Sequence, residues 1–251
     1  MKIIAIIQAR MESTRLPGKV LKPVAGEPML KRIVERVSKS RCLDSVIVAT
    51  SCSAADNAIE DFCRQEGFFC FRGSQDNVLE RYYQCSRQYQ GEIIIRLTAD
   101  NVFVDSDIIM EAVQHFQLDG QIDYLYYREG LPLGMAVEVF TAEALGRAYQ
   151  EAEDAECKEH VTLYMYRNPE TFRCVREKGN EDYSFLRLTM DTDKDYQMIE
   201  ELYTRLLRKG VAVSYENVAG ELLQDEKLRS INGEIVQKIP RYGLDDKGAL
   251  P

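Results

Sequence analysis

A chain of 251 residues, 45% apolar and 29% charged, is long enough to bury one large α/β core or two small ones. Its formal net charge of −9 argues against broad binding to nucleic acid or to an anionic membrane, since both call for a basic surface. The seven cysteines are scattered and have no C-x-x-C spacing, and with two histidines, His115 and His160, they assemble no zinc signature; free thiols in a reducing cytosol are expected. The amino terminus lacks a signal-peptide layout and no apolar run nears the roughly 20 residues of a membrane helix, so a cytoplasmic location is expected.

Lys2 to Gln8 is an apolar, mostly β-branched run, the pattern of a strand buried on both faces of a parallel sheet. A loop follows, and Pro28 opens a predicted helix to about Ser40 with Met29, Leu30, Ile33, Val34 and Val37 on one face. Strand 45–50 precedes a helix that starts at Ser53 or Asp56 and ends at Gly67. A short strand 68–71, a helix 75–89, a strand 92–97 and a helix from Asp105 or Ser106 to Leu118 complete a strand–helix rhythm that means a parallel sheet covered on both sides. Beyond residue 120 the rhythm loosens. Strands are expected at 123–127, 135–140, 172–177 and 185–190, with helices at 141–151, 157–167, 193–209 and 216–224, and a short segment 211–214 before the last. There is no repeat and no linker. Residues 1–231 are expected as a single domain and 232–251 as a tail, either an arm on the body or partly disordered.

The loop after the first strand carries Arg10, Arg15 and Lys19 with Ser13, Thr14, Pro17 and Gly18. Three cations and two hydroxyls at the carboxyl end of a strand suit a polyphosphate, because arginine offers forked donors and lysine a movable point charge. A solvated basic loop is the alternative, in which Lys19 would be exposed and contribute little to folding. Neither the G-x-x-x-x-G-K-[ST] nor the G-x-G-x-x-G phosphate motif is present. Asp100 follows strand 92–97, where α/β sheets place ligands, and a carboxylate there suits Mg²⁺; a turn cap is the plainer role.

The segment QARMESTRLPGKVLKPVAGEPML resembles the nucleotide-binding loop of the sugar-acid cytidylyltransferases, closest to the spore-coat-polysaccharide branch and related to CMP-Kdo and CMP-acylneuraminate synthetases. Arg96, Thr98, Asp100 and Asp105 match that family's R-x-T-G-D-x-P-x-I-D block, while Ala99, Asn101 and Val102 depart from it. Asp191 and Thr192 resemble its D-T-x-x-D turn, with Asp193 and Asp195 expected as helix-start residues. Arg72 to Tyr82 is similar to R-G-S-x-x-D-V-L-x-R-Y, Gly134 to Phe140 to G-x-D-V-E-V-F with Ala136 in place of the acid, and Glu159 to Thr162 to E-H-V-T. The blocks span roughly residues 1–225.

The resemblance implies a Rossmann-like three-layer α/β sandwich of the nucleotide-diphospho-sugar transferase type, with a mainly parallel sheet. It implies transfer of CMP from CTP to a sugar acid with release of pyrophosphate, for surface polysaccharide. Arg10, Arg15, Lys19 and Asp100 would be catalytic. Ala9, Arg10, Ser13, Arg15, Lys19, Thr50, Arg72, Gly73, Ser74 and Thr98 would bind the nucleotide, Ala49 and Ser51 being further candidates for the base. Glu138 and His160 would bind the acceptor, although a structural role for His160 stays open. Mg²⁺ would be held by Asp100 and Asp191. A homodimer is implied, and Tyr124, Tyr126 and Tyr127 suit either its interface or the core. Two rivals remain at this point. One is a glycosyltransferase of related fold, which would normally carry a D-x-D motif where this chain has Asp100-Asn101-Val102. The other is a degenerate, non-catalytic family member that binds a nucleotide or a partner.

Overall fold

The apolar run at the amino terminus becomes β1 (Ile3–Gln8), hydrogen-bonded along both edges. The structure is a computed structural model that describes residues 1–179 and 181–236, apart from the side chain of Arg128. Ile4, Ala5, Ile6 and Ile7 are completely enclosed. Strand side chains alternate, so Ile3, Ala5 and Ile7 enter one core while Ile4 and Ile6 enter another on the opposite face.

A short hairpin of β2 (Pro23–Val24) and β3 (Glu27–Pro28) follows the first loop and leads into α1 (Met29–Val37). The main sheet adds β4 (Ser45–Ser51), β5 (Phe69–Gly73), β6 (Ile93–Thr98), β7 (Tyr124–Glu129), β8 (Val137–Thr141) and β9 (Cys174–Lys178). Its order is β5-β4-β1-β6-β8-β7-β9. From β5 to β6 all pairings are parallel; β8 is antiparallel to both neighbours, and β7 pairs in parallel with β9. Helices α1, α2 (Asn57–Glu66), α4 (Ser106–Leu118) and α8 (Asp193–Arg208) cover one face, and α3 (Val78–Tyr89) and α5 (Ala142–Glu151) the other. This is the expected three-layer α/β sandwich with a mainly parallel sheet.

Several elements differ from expectation. The predicted helix 157–167 is two short ones, α6 (Ala155–Glu159) and α7 (Leu163–Arg167), because Val161 is fully buried between them and Thr162 turns its hydroxyl inward to Glu138. The predicted strand 185–190 is not a sheet strand. It is an extended segment with one bridge, between Leu133 and Arg187, since the backbone it meets is a loop. The short segment 211–214 is irregular and ends on Ser214, which caps α9 (Tyr215–Gln224). After α10 (Glu226–Ser230), Asn232 is buried and hydrogen-bonded to Arg187 and Asp195, so the start of the expected tail belongs to the body. Residues 237–251 of that tail lie outside the described residues. Tyr124 and Tyr127 are core residues, and Tyr126 is half-buried beneath Arg176.

Candidate active site

The 9–22 loop is held in place by its apolar residues and one carboxylate. Leu16 and Val20 are buried, and Gly18, at φ +68°, lets the chain turn so that its N–H reaches the Met11 carbonyl at 2.9 Å. Asp56 accepts from the Met11 N–H at 2.7 Å and from the Ser51 hydroxyl at 2.5 Å, stapling the loop to the end of β4. Burial raises the Asp56 pKa, but these donors outweigh it and hold the carboxyl below its ordinary value. With these residues turned inward, Arg10, Ser13, Arg15 and Lys19 face a cleft of about 830 Å³, also lined by Thr98, Asp100 and Asp191.

On one wall of this cleft the Lys19 ammonium lies 3.0 Å from Asp100 Oδ2, 2.9 Å from Asp191 Oδ1 and 2.8 Å from the Met190 carbonyl. It is therefore not the exposed loop lysine of the solvated-loop alternative: only 11% of its side chain is accessible. Burial depresses its pKa, yet the two carboxylates more than compensate and the net direction is up. The Asp191 pKa is raised by burial and lowered more strongly by Lys19, Arg15 and Arg187, for a net fall. Arg15 reaches Asp191 Oδ2 at 3.2 Å, and Thr98 donates to Asp100 Oδ1 at 2.6 Å. Residues 91 positions apart in sequence thus meet at one point, Asp100 just past β6 and Asp191 on the extended segment before α8.

Arg10 stretches from the loop to Glu159 at 3.3 Å, beside His160. His160 is half-buried, and burial lowers its pKa. Other expected site residues stand elsewhere. Ala9 is buried and donates to the Ala49 carbonyl at 3.1 Å; Thr50 is buried at the end of β4, as is Ser51 beside Asp56. Arg72, Gly73 and Ser74 line a separate cleft of about 570 Å³. The Arg72 guanidinium is taken up by the Ser51 and Ser53 carbonyls, Asn57 and Glu60 at 2.7–3.0 Å. Glu138 sits in the sheet, bonded to Arg96, to the Tyr124 hydroxyl at 2.7 Å and to the Thr162 hydroxyl at 2.7 Å. Burial pushes its pKa up, but these partners reverse the direction.

Three buried charged groups that hold loops or site residues in place escaped the sequence reading. Asp56 looked only like a helix start. Arg81 is fully buried on α3, and its guanidinium binds the Ser74 and Gln75 carbonyls, fixing the loop after β5. Arg187 joins Asp191, at 3.1 Å, to the fully buried Asp195, which also accepts from the Asp191 and Thr192 N–H groups. Asp195 does close a capping box at the α8 start as expected, and it braces Asp191 as well. The signal available was the spacing of Arg187, Asp191 and Asp195 by four, which on a non-helical stretch points nowhere in particular.

Asp100 and Asp191 offer hard oxygen donors aimed at one point, the donor set Mg²⁺ takes when substrate phosphates and water complete its shell. Among the described residues no group of three or more candidate ligands forms, so any bound Mg²⁺ would depend on such outside ligands.

The chain matches the cytidylyltransferase family over residues 4–225. It is 39% identical over 211 residues to the spore coat polysaccharide biosynthesis protein SpsF of Bacillus subtilis, covering 81% of this chain and 87% of that one. Over 118 residues it is 33% identical to a 3-deoxy-manno-octulosonate cytidylyltransferase of Trichlorobacter lovleyi, 46% of this chain and 45% of that one. A cytidylyltransferase structure from Leptospira borgpetersenii superposes with a TM-score of 0.86 at 29% identity, covering 94% of this chain and all of that chain (100%). No helix among the described residues is long and apolar enough to cross a membrane.

Proposed function

From the premise that this chain belongs to the cytidylyltransferase family, and so is a CTP-using nucleotidyltransferase, we propose that it transfers the cytidylyl group of CTP to a sugar acid for surface polysaccharide, acting as a Mg²⁺-dependent homodimer. The observation that carries the reading is the meeting of Lys19, Asp100 and Asp191 within 3.0 Å on the wall of a cleft into which Arg10 and Arg15 also reach. The acceptor class and the polysaccharide role draw support from the motif blocks and from the names of the relatives.

In the transfer, an acceptor oxygen forms a bond to the α-phosphorus, the bond from that phosphorus to the bridging oxygen breaks, and pyrophosphate departs with the electron pair. The acceptor hydroxyl gives up its proton to water in the open cleft. Arg15 and Lys19 neutralise the triphosphate and the charge that gathers on the leaving group, a role that strengthens as the bond breaks. Arg10, tied to Glu159, connects the triphosphate side of the cleft to the segment around His160, which binds the acceptor in this reading. Asp100 and Asp191 would hold Mg²⁺, which would supply further charge neutralisation when bound.

Pyrophosphate release, measured with CTP, ATP and GTP against a panel of sugar acids, tests this. Release with CTP and at least one sugar acid, lost in Asp100→Asn, is the expected result. No release with any acid, or equal use of all three nucleotides, overturns it.

A further inference from the structure

In the same cluster the hydrogen bonds divide into braced ones and one set made by a flexible side chain. Each carboxylate has one oxygen committed away from Lys19: Asp100 Oδ1 accepts from Thr98 at 2.6 Å, and Asp191 Oδ2 takes Arg187 at 3.1 Å and Arg15 at 3.2 Å. The remaining oxygens, Asp100 Oδ2 and Asp191 Oδ1, are those a metal would use, and both are bonded to the one ammonium of Lys19. That ammonium has three N–H donors, and the Met190 carbonyl takes the third. Asp191 is braced by Arg187 and by Asp195 on its own N–H, so the carboxylate is the fixed partner. Lys19, on a four-carbon stem, is the movable one.

We infer that Lys19 is an internal counter-ion that closes the Asp100–Asp191 position to free divalent metal until a polyphosphate draws its ammonium away. This rests on the reading of the cleft as a polyphosphate site. A bare dication would have to expel an ammonium from its three acceptors and then share the cleft with it, beside Arg15 and Arg187. A polyphosphate brings anionic oxygens for both cations, so Lys19 can exchange two carboxylates for phosphate without losing a counter-charge. Metal then enters with the polyphosphate, not before it.

The test is Mn²⁺ binding to the full chain without nucleotide, read from the loss of the free Mn²⁺ paramagnetic resonance signal. Lys19→Met should bind Mn²⁺ at least about tenfold more tightly than the wild type, and Lys19→Met/Asp100→Asn should lose the gain. Equal affinity in Lys19→Met and wild type, or a gain that survives Asp100→Asn, overturns the inference. The wild-type chain supplies a check that needs no variant to fold. Mn²⁺ alone should leave its melting temperature unmoved, whereas Mn²⁺ with inorganic tripolyphosphate should raise it beyond tripolyphosphate alone. A wild-type shift with Mn²⁺ alone as large as with both overturns it too. None of these measurements uses cytosine or an acceptor, so a failed pyrophosphate assay beside a Mn²⁺ gain in Lys19→Met rejects the proposed transfer and leaves the counter-ion role standing.

Discussion

Two cation–carboxylate clusters hang from β6, and they differ in what their oxygens are free to do. Past the strand end, Asp100 meets Lys19 and Asp191 beside an open cleft. Inside the strand, Arg96 meets Glu138 of β8, and both Glu138 oxygens are taken, one by Arg96 and the other by Tyr124 and Thr162. The first cluster is held by a flexible lysine that a ligand can displace. The second is held by a guanidinium and a tyrosine hydroxyl of the sheet and by the Thr162 hydroxyl packed against it, so its exchange for a ligand would leave buried donors unpaired. Residue type alone does not separate a binding site from a brace; the fate of each lone pair does.

The largest effect expected from this contrast is on stability. Glu138→Ala should destabilise the fold by about 3–5 kcal/mol in urea unfolding, because it strands the Arg96 guanidinium together with the buried Tyr124 and Thr162 hydroxyls, while the folded fraction keeps most of its pyrophosphate release. A stable variant without activity would make Glu138 an acceptor ligand and break the comparison.

At the cleft the balance reverses. Lys19→Ala should lower kcat/KM for CTP by roughly 100-fold, the loss of one preorganised electrostatic donor, with a stability loss of about 1–3 kcal/mol from two carboxylates left without their cation beside an open cleft. Because Lys19 is paired and mostly covered, some loss in melting temperature is now expected. Unchanged kinetics would return the loop to an ordinary turn.

The braced cluster should also show in acid. The folded pKa of Glu138 lies below its unfolded value, so its contribution is complete above the unfolded pKa of about 4.3 and is lost as pH falls through the folded pKa. Glu138→Gln should be less stable than wild type at neutral pH, and the gap should close below pH ~4. A gap independent of pH would show that charge is not what Glu138 contributes.

The smallest effect belongs to Lys22, which lies 4.5 Å from the centre of the Tyr196 ring. Lys22→Ala should keep wild-type turnover and lose about 0.5–1 kcal/mol of stability. A turnover loss matching that of Lys19→Ala would spread the phosphate role over the loop and remove the special position of Lys19.

Much of this protein was legible in its sequence. The unbroken β-branched run 3–7 required a strand covered on both faces, and the strand–helix rhythm to Leu118 fixed the parallel half of the sheet, because both depend on local periodicity. That the loop cations, Asp100 and Asp191 would share one cleft was also legible, from the apolar run before the loop and Asp100 and from the motif resemblance around Asp191. What neighbours do to a side chain was not readable. The expected strand 185–190 failed because its partner is a loop around Leu133, and the helix over 157–167 broke because Val161 and Thr162 are drawn inward. Lys19 as the saturated bridge of two carboxylates, Arg72 and Glu138 as residues already satisfied, and Asn232 as part of the body all rest on contacts between segments far apart in the chain. Periodicity reports which face of an element is buried, but only the packed structure decides which donor meets which acceptor there.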